Sequence, residues 1–169
     1  KTTIFTNNIG SSKGSNLLMN YINPSPIKAA ITAVGAYVPE EKLTNADLEQ
    51  IVDTNDEWIV ARTGIRERRI LKDPKKGTSF MAIMAAQEIL KKSNLDPLEI
   101  DAVIVATITP DMNVAATAAY VASEIGATNA FAYDLQAACS GFLYGMSVAA
   151  AYVSSGRYKK VLLIGADKM

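Results

Sequence analysis

The sequence predicts an α/β fold with a mainly parallel sheet that is covered by helices. Short apolar runs alternate with segments whose apolar residues recur at helical spacing. The runs at residues 102–107 and 161–164 lack the polar–apolar alternation of a strand with one solvated face, so both of their faces are expected to be covered. Hydrophobic residues make up 49% of the 169 residues and charged residues 20%, which excludes intrinsic disorder for most of the chain.

The first third of the folded part is predicted to contain one strand and two short helices. The strand covers residues 29–36, which are small and mostly apolar. Residues 44–47 (TNAD) and 55–57 (NDE) supply the side-chain oxygens that cap helix starts. The apolar stripe of the first helix is expected to consist of Leu48, Ile51 and Val52.

The remaining elements alternate between helix and strand, separated by turn residues such as Pro97, Gly126 and Gly156. They are, in order, a helix over residues 77–93, a strand over 102–107, a helix over 115–125, a strand over 131–135, a helix over 141–155 and a strand over 161–164.

The two ends of the chain differ from its middle. Residues 1–27 are rich in Asn, Ser, Thr and Gly, and we predict a polar N-terminal arm, or an extension introduced by cloning or gene prediction. At the other end, the strand-like run at 159–166 is followed by three residues. We therefore expect the chain to be part of a longer protein.

Charge and cysteine content exclude several classes of protein. The 17 basic and 17 acidic side chains cancel, whereas binding to nucleic acid or to an anionic membrane requires a basic excess, so neither partner is expected. No apolar run approaches the ~20 residues that span a bilayer. Cys139 is the single cysteine, so no disulfide forms within the chain and a cytoplasmic location is expected. No histidine is present, so these residues alone cannot complete a cysteine–histidine pair.

Cys139 lies where a predicted strand turns into a predicted helix, within residues 134–142 (DLQAACSGF). The unpaired N–H groups of a helix start carry about half a positive charge, which favours a thiolate and can bind the oxyanion of an attacked carbonyl group. The small neighbours leave room for a substrate, so the pattern indicates a nucleophile. Free cysteines are more often small buried hydrophobic side chains, and on the local pattern that alternative stays open.

Four segments closely resemble the N-terminal half of β-ketoacyl-acyl carrier protein synthase III. They are residues 52–59 (VDTNDEWI), 62–68 (RTGIRER), 137–142 (AACSGF) and 155–167. The segments occur in the order and spacing of that family, and the likeness extends from about Lys28 to Met169. Their conjunction is specific, whereas no single segment would be.

The resemblance implies a thiolase-like fold, in which two similar halves stack as five alternating layers (αβαβα), residues 28–169 forming the N-terminal half. It also implies a condensing acyltransferase. Such an enzyme loads an acyl group from acyl-CoA onto Cys139 and condenses it with malonyl-acyl carrier protein in a decarboxylative Claisen reaction that starts type II fatty acid synthesis. The implied partners are acyl-CoA, malonyl-acyl carrier protein and a second copy of the protein in a homodimer. No cofactor is expected, because acyl-CoA is a substrate.

The resemblance also assigns roles to three residues before the cysteine. Thr54, Trp58 and Arg62 match positions that line the coenzyme A site, where Trp58 would stack on adenine and Arg62 would pair with phosphate. Without the resemblance, Trp58 reads as a core aromatic and Arg62 as a solvated charge. The other basic residues of the stretch 62–76 read as solvated surface, so Arg62 is its one predicted site residue.

Two departures limit what the resemblance implies. The family's histidine and asparagine, which assist decarboxylation, would lie beyond Met169. Val114 stands where well-studied members carry a phenylalanine that reaches the partner subunit's primer pocket, so we expect room for longer or branched primers.

Two further hypotheses about the function stay open. One is another thiolase-fold condensing enzyme, such as a 3-hydroxy-3-methylglutaryl-CoA synthase or a specialised ketosynthase. The other is a non-catalytic binding or assembly fragment whose cysteine is structural.

Overall fold

The structure is a computed structural model that describes residues 2–8 and 28–169. The strands are β1 (Thr2–Asn8), β2 (Lys28–Gly35), β3 (Lys42–Thr44), β4 (Glu67–Arg69), β5 (Ala102–Ala106), β6 (Phe131–Leu135) and β7 (Lys160–Gly165). The α-helices are α1 (Asn45–Glu49), α2 (Asp56–Thr63), α3 (Thr78–Ser93), α4 (Thr117–Glu124) and α5 (Gly141–Ser154). The chain divides into two compact units, a larger one of Lys1–Tyr37 and Gly77–Met169 and a smaller one of Val38–Lys76.

The larger unit is built on a five-stranded mixed sheet in the order β2-β1-β7-β5-β6. β5 pairs in parallel with both β6 and β7, and β1 pairs antiparallel with β2 and β7. Four of the five strands therefore point the same way, which is the mainly parallel sheet that the sequence predicts.

Helices cover both faces of this sheet. Successive strand residues point to opposite faces, so Val103 and Val105 belong to one buried cluster and Ala102 and Ile104 to the other. The first cluster includes residues of α3 and α4, and the second includes residues of α5. Burial on both faces explains why β5 is apolar at every position.

The chain reverses its direction across the sheet after β6. It passes from β5 through α4 to β6, and then through α5 back across β5 to β7. Because α4 and α5 pack on opposite faces, the chain leaves the neighbouring carboxyl ends of β5 and β6 towards opposite sides. In α/β sheets, a crevice opens at such a point, and ligands bind there.

β1 differs from the arm predicted for residues 1–27. Thr2–Asn8 form an interior strand that is paired on both sides. Ile4 and Phe5 are buried on opposite faces, one in each cluster, so this short apolar pair gives the segment enough burial despite its polar neighbours. The rest of the predicted arm lies outside the described residues.

The smaller unit consists of the antiparallel pair β3 and β4 with the short helices α1 and α2. Asn45 is buried and joins these elements, because its side-chain amide donates to the Asp56 carboxylate (2.7 Å) and to the Ile65 carbonyl (2.8 Å). The Arg68 guanidinium donates to the Asn45 side-chain oxygen. Hydrogen bonds between polar side chains therefore hold these elements together, as a hydrophobic core does in a larger unit.

Most predicted boundaries agree with the structure, with one clear error at α1. The helix ends at Glu49, so Ile51 and Val52 lie beyond it and are exposed instead of forming its apolar stripe. The predicted cap is present, since Thr44 and Asp47 form a reciprocal capping box. Among the described residues, no helix has the length and apolar character needed to cross a membrane.

Candidate active site

Cys139 lies in a single 3-10 turn, Ala138–Ser140, that joins β6 directly to α5. The strand–turn–helix arrangement predicted around this cysteine is therefore present. The side chain is exposed, which argues against the alternative of a buried structural cysteine. The thiol lies two residues before the start of a fourteen-residue helix, whose positive end favours a thiolate.

The preceding residue sets the direction of this turn. Ala138 has φ +46°, in the left-handed region, and the Gly141 N–H donates to its carbonyl oxygen to close the turn. An L-residue pays roughly 1–2 kcal/mol for that conformation. The sequence gives no sign of it, because alanine seldom marks a left-handed position, whereas glycine often does.

A cavity of about 280 Å³ surrounds the cysteine at the carboxyl ends of three parallel strands. Its walls come from the end of β5, from the segment that follows β6, and from the segment that follows β7. This is the crevice expected where α4 and α5 diverge. The lining residues are Ala106, Ala138, Cys139, Phe142, Gly165, Ala166 and Asp167.

Asp167 is the one charged side chain among the residues that line this cavity, and sequence analysis did not single it out. Its Oδ1 accepts hydrogen bonds from the Thr107 hydroxyl (2.9 Å), the Ile108 N–H (2.8 Å) and the Thr109 hydroxyl (3.0 Å). A signal existed, because a carboxylate two residues after a buried parallel strand lies at the edge of the sheet where sites form.

A second carboxylate fixes the strand that leads to the cysteine. Asp134 in β6 accepts hydrogen bonds from the N–H groups of Thr117 and Ala118, both at 2.8 Å. It therefore caps the start of α4, where Ala116 provides no side-chain cap. These two hydrogen bonds connect the strand before Cys139 to the neighbouring helix, and sequence analysis overlooked them.

Two of the predicted coenzyme A residues meet on α2 in the smaller unit. The Arg62 guanidinium carbon lies 4.8 Å from the centre of the Trp58 ring, within the range of a cation–π contact. Trp58 is 54% exposed while its neighbour Ile59 is buried, so the alternative of a core tryptophan is wrong. Thr54 is half-buried, immediately before the helix cap Asn55.

Val114, the predicted primer-pocket residue, lies in the larger unit between β5 and α4 and is fully exposed. It is not one of the residues that line the Cys139 cavity. Within the described ranges, no group of three or more Cys, Asp or Glu side chains is arranged to hold a metal ion.

Comparisons with known proteins agree with the predicted resemblance. The family model for 3-oxoacyl-[acyl-carrier-protein (ACP)] synthase III matches residues 133–169. The β-ketoacyl-[acyl-carrier-protein] synthase III of Chlorobium chlorochromatii is 58% identical over 143 residues, which cover 85% of this chain and 44% of that protein. The protein of the same name from Chlorobaculum tepidum is 55% identical over 143 residues, with the same coverage of both chains.

A solved structure gives the same result for the fold. The crystal structure of 3-oxoacyl-[acyl-carrier-protein] synthase III from Aquifex aeolicus superposes with a TM-score of 0.77 at 48% identity, covering 80% of this chain and 44% of that one. The predicted resemblance and the thiolase-like α/β fold are confirmed. The chain spans less than half the length of the relatives it matches.

Proposed function

Because this chain is homologous to β-ketoacyl-[acyl-carrier-protein] synthase III over about 44% of that protein's length, we propose that it carries the acyl-accepting site of a condensing enzyme. Cys139 is the nucleophile, and an acyl-CoA is the acyl donor. The observation that carries the proposal is the placement of an exposed cysteine at a helix start, in the crevice at the carboxyl ends of the strands.

The first step is a thioester exchange. The Cys139 thiolate attacks the carbonyl carbon of the acyl-CoA, a new sulfur–carbon bond forms, and the bond to the coenzyme A sulfur breaks. Coenzyme A leaves as a thiolate and takes up a proton, so the step needs no oxidant or reductant. Covalent capture divides one difficult condensation into two easier reactions.

The second step belongs to the whole protein. Decarboxylation of malonyl-acyl carrier protein supplies a carbanion equivalent that attacks the acyl-enzyme carbonyl carbon, and the Cys139 thiolate leaves. The histidine and asparagine that the resemblance implies for decarboxylation are proposed for that whole protein. The malonyl-acyl carrier protein and the homodimer are accordingly proposed for the complete protein.

The smaller unit supplies coenzyme A recognition in this proposal. The exposed face of Trp58 stacks on adenine, a contact worth about 1–3 kcal/mol where base–aromatic stacking has been measured with single-stranded nucleic acid. Arg62 already lies against the ring and pairs with a phosphate of the coenzyme. Thr54, just before the α2 cap, is the third contact.

Val114 sets primer size in the partner subunit of the proposed homodimer, since a valine leaves more space in that subunit's primer pocket than a phenylalanine. Val114→Phe in the complete protein is expected to shift competition between acyl-CoA donors towards acetyl-CoA. Strict acetyl-CoA preference in the unsubstituted protein, unchanged by the substitution, would contradict this role.

Alkylation of Cys139 tests the proposed function. Iodoacetamide is expected to label Cys139 rapidly, and saturating acetyl-CoA is expected to slow that labelling, whereas free adenosine is not. Peptide mass spectrometry locates the label. Slow labelling that acetyl-CoA leaves unchanged would favour a structural cysteine and would count against the proposal.

A further inference from the structure

Asp167 occupies a position that connects the Cys139 cavity to the polypeptide around it. It lies two residues after the end of β7, lines the cavity, and accepts three hydrogen bonds on one oxygen from the segment that follows β5. β5 and β7 are neighbouring parallel strands, so this oxygen holds together the two backbone segments that leave them.

The hydroxyl groups of Thr107 and Thr109 lie around this oxygen. The Thr107 hydroxyl accepts from the Thr109 N–H (3.1 Å), and the Thr109 hydroxyl accepts from the Lys168 N–H (3.1 Å). Each hydroxyl has one proton and is within hydrogen-bond distance of Asp167 Oδ1, which can only accept; the Thr109 hydroxyl also lies 3.1 Å from the Thr78 hydroxyl. The arrangement therefore requires an acceptor at Oδ1, but it does not by itself require a negative charge.

A third element is tied to the same group. The Thr78 hydroxyl, at the start of α3, donates to the Thr109 carbonyl (2.6 Å) and accepts from the Lys168 N–H (3.1 Å). Thr78 and Thr107 are buried, so these bonds are shielded from competing water. Loss of the acceptor at Asp167 would leave the hydroxyl proton of the buried Thr107 without its partner, and the two segments would have to move to satisfy it.

Movement of the segment after β7 would reach Cys139 through a close contact. A Cβ placed on Gly165 would lie 2.9 Å from Phe142 Cδ2, so the backbone there packs tightly against the first turn of α5. Phe142, three residues after Cys139, and Gly165, the last residue of β7, both line the cavity. A displacement of the wall at residues 165–167 is therefore expected to displace the first turn of α5, which follows the cysteine turn.

We propose that Asp167 is a positioning residue for Cys139: its Oδ1 holds the segment after β5 against the segment after β7 and so fixes the shape of the cavity around the thiol. The inference rests on the proposed acyl transfer to Cys139 and adds a residue that acts on that step through the shape of the cavity.

Asp101 provides a matched control within the same pair of strands. Its Oδ2 accepts hydrogen bonds from the N–H groups of Lys159 (2.6 Å) and Lys160 (2.9 Å) at the amino ends of β5 and β7, away from the cavity. Asp101→Ala removes a carboxylate that binds backbone between the same two strands, but at the opposite end. It is expected to lower stability without changing the reactions of Cys139.

The test compares three variants of the full chain under conditions where circular dichroism shows each to be folded. Two quantities are measured at Cys139. The first is the rate of acyl-thioester formation with acetyl-CoA. The second is the alkylation ratio, which is the rate of alkylation by N-ethylmaleimide divided by the rate with the smaller iodoacetamide. Since a displacement of about 1 Å can cost up to about a hundredfold, Asp167→Ala is expected to slow acylation at least about tenfold and to change the alkylation ratio at least about threefold. Asp167→Asn, which keeps the acceptor oxygen, is expected to stay within about twofold of the unsubstituted chain, like Asp101→Ala.

The inference is overturned by any of the following results. Equal effects of Asp167→Ala and Asp167→Asn would mean that charge, not position, matters. Equal effects of Asp167→Ala and Asp101→Ala would mean a general loss of stability. If Asp167→Ala does not fold, Thr109→Val replaces it, and an unchanged alkylation ratio in that variant is the contradicting result. If the unsubstituted chain is not acylated, the proposed function fails, and the alkylation ratio still decides the role of Asp167.

Discussion

Ala138 shows how a single backbone conformation places the proposed nucleophile. Its left-handed φ of +46° bends the chain sharply between β6 and α5, and Cys139 follows at the exposed side of that bend. Strained backbone at a functional site persists because the surrounding structure holds it. Here the holding elements are the paired strand β6 on one side and the helix α5 on the other.

Glycine at position 138 should relieve this strain. Because glycine adopts positive φ freely, Ala138→Gly is expected to leave the free energy of unfolding unchanged or to raise it by up to about 1 kcal/mol. Ala138→Val is expected to lower it by at least about 1 kcal/mol, since a β-branched residue tolerates this region poorly. Urea denaturation followed by circular dichroism measures both.

Ala137 is the matched control for that substitution. Its φ of −152° is negative and lies outside the left-handed region, so Ala137→Gly relieves no such strain and is expected to cost about 0.5–1 kcal/mol. A loss of stability in Ala138→Gly equal to that in Ala137→Gly would contradict the strain at position 138.

Residue identity predicted some of this site and not the rest. Cys139 stands out because its neighbours are small and a strand precedes it, and Trp58 stands out through its sequence motif. The strain at Ala138 and the role of Asp167 depend on backbone dihedrals and on bonds to residues about 60 positions away, which no local pattern contains.

Helix α5 and strand β7 pack with almost no space between them at Gly145. A Cβ at this buried glycine would lie 2.5 Å from Leu163 Cδ1. Alanine normally stabilises a helix interior by about 1 kcal/mol relative to glycine. Overpacking costs about 1–3 kcal/mol, so Gly145→Ala is expected to lower the free energy of unfolding despite the better helix propensity.

Two further substitutions make this packing test specific. Ser147→Ala lies on the exposed side of the same helix and is expected to change stability by less than about 0.5 kcal/mol. Leu163→Ala combined with Gly145→Ala is expected to be less destabilised than the sum of the single variants, because the added methyl group enters the space vacated by leucine. Strict additivity in denaturant unfolding would contradict the close contact.

The capping box at α1 gives a prediction about pH. The Thr44 hydroxyl (2.7 Å) and then the Thr44 N–H (2.8 Å) donate to the Asp47 carboxylate and hold its pKa below the ordinary value of 3.8. A carboxylate whose pKa is lower in the folded state contributes stability that is complete above its ordinary pKa and is lost as the pH falls through the lowered pKa. Thr44→Val is therefore expected to raise the pKa of Asp47 towards 3.8 and to reduce this acid-dependent loss.

NMR titration of the Asp47 side chain measures that shift directly. Thr63→Val serves as the control, because the Thr63 hydroxyl donates to the Ile59 carbonyl (2.7 Å) and should leave the pKa of Asp47 unchanged. An Asp47 pKa that is the same with threonine or valine at position 44 would refute the hydrogen bond as its cause.

Elements with strong local signals were predictable, and elements that depend on tertiary pairing were not. Helix α3 matches its predicted range, because its apolar residues recur at helical spacing up to the point where Asn94, in the left-handed conformation, ends the helix. β1 was not predicted, because seven mostly polar residues become a strand only through partners on both sides. α1 was predicted too long, since Ile51 and Val52 have no surface to cover them in the smaller unit.

At the scale of the whole molecule, topology decides where chemistry can occur. The reversal of the chain after β6 opens the crevice, and the ends of β5, β6 and β7 supply its walls. The sequence predicted this class of sheet from unpatterned apolar runs, but strand order follows from pairing that composition does not encode. The thiolase-like fold was predicted from the resemblance of sequence motifs to a known family, and the structural comparison confirms it.

Transfer of an acyl group to Cys139 is the central claim, and intact-mass spectrometry tests it most directly. Incubation with acetyl-CoA is expected to add one acetyl group per chain, to release free coenzyme A in equal amount, and to be reversed by hydroxylamine, which cleaves thioesters. Cys139→Ala is expected to abolish the addition while leaving the fold intact. An unmodified mass after prolonged incubation, or an adduct that persists in Cys139→Ala, would contradict the account.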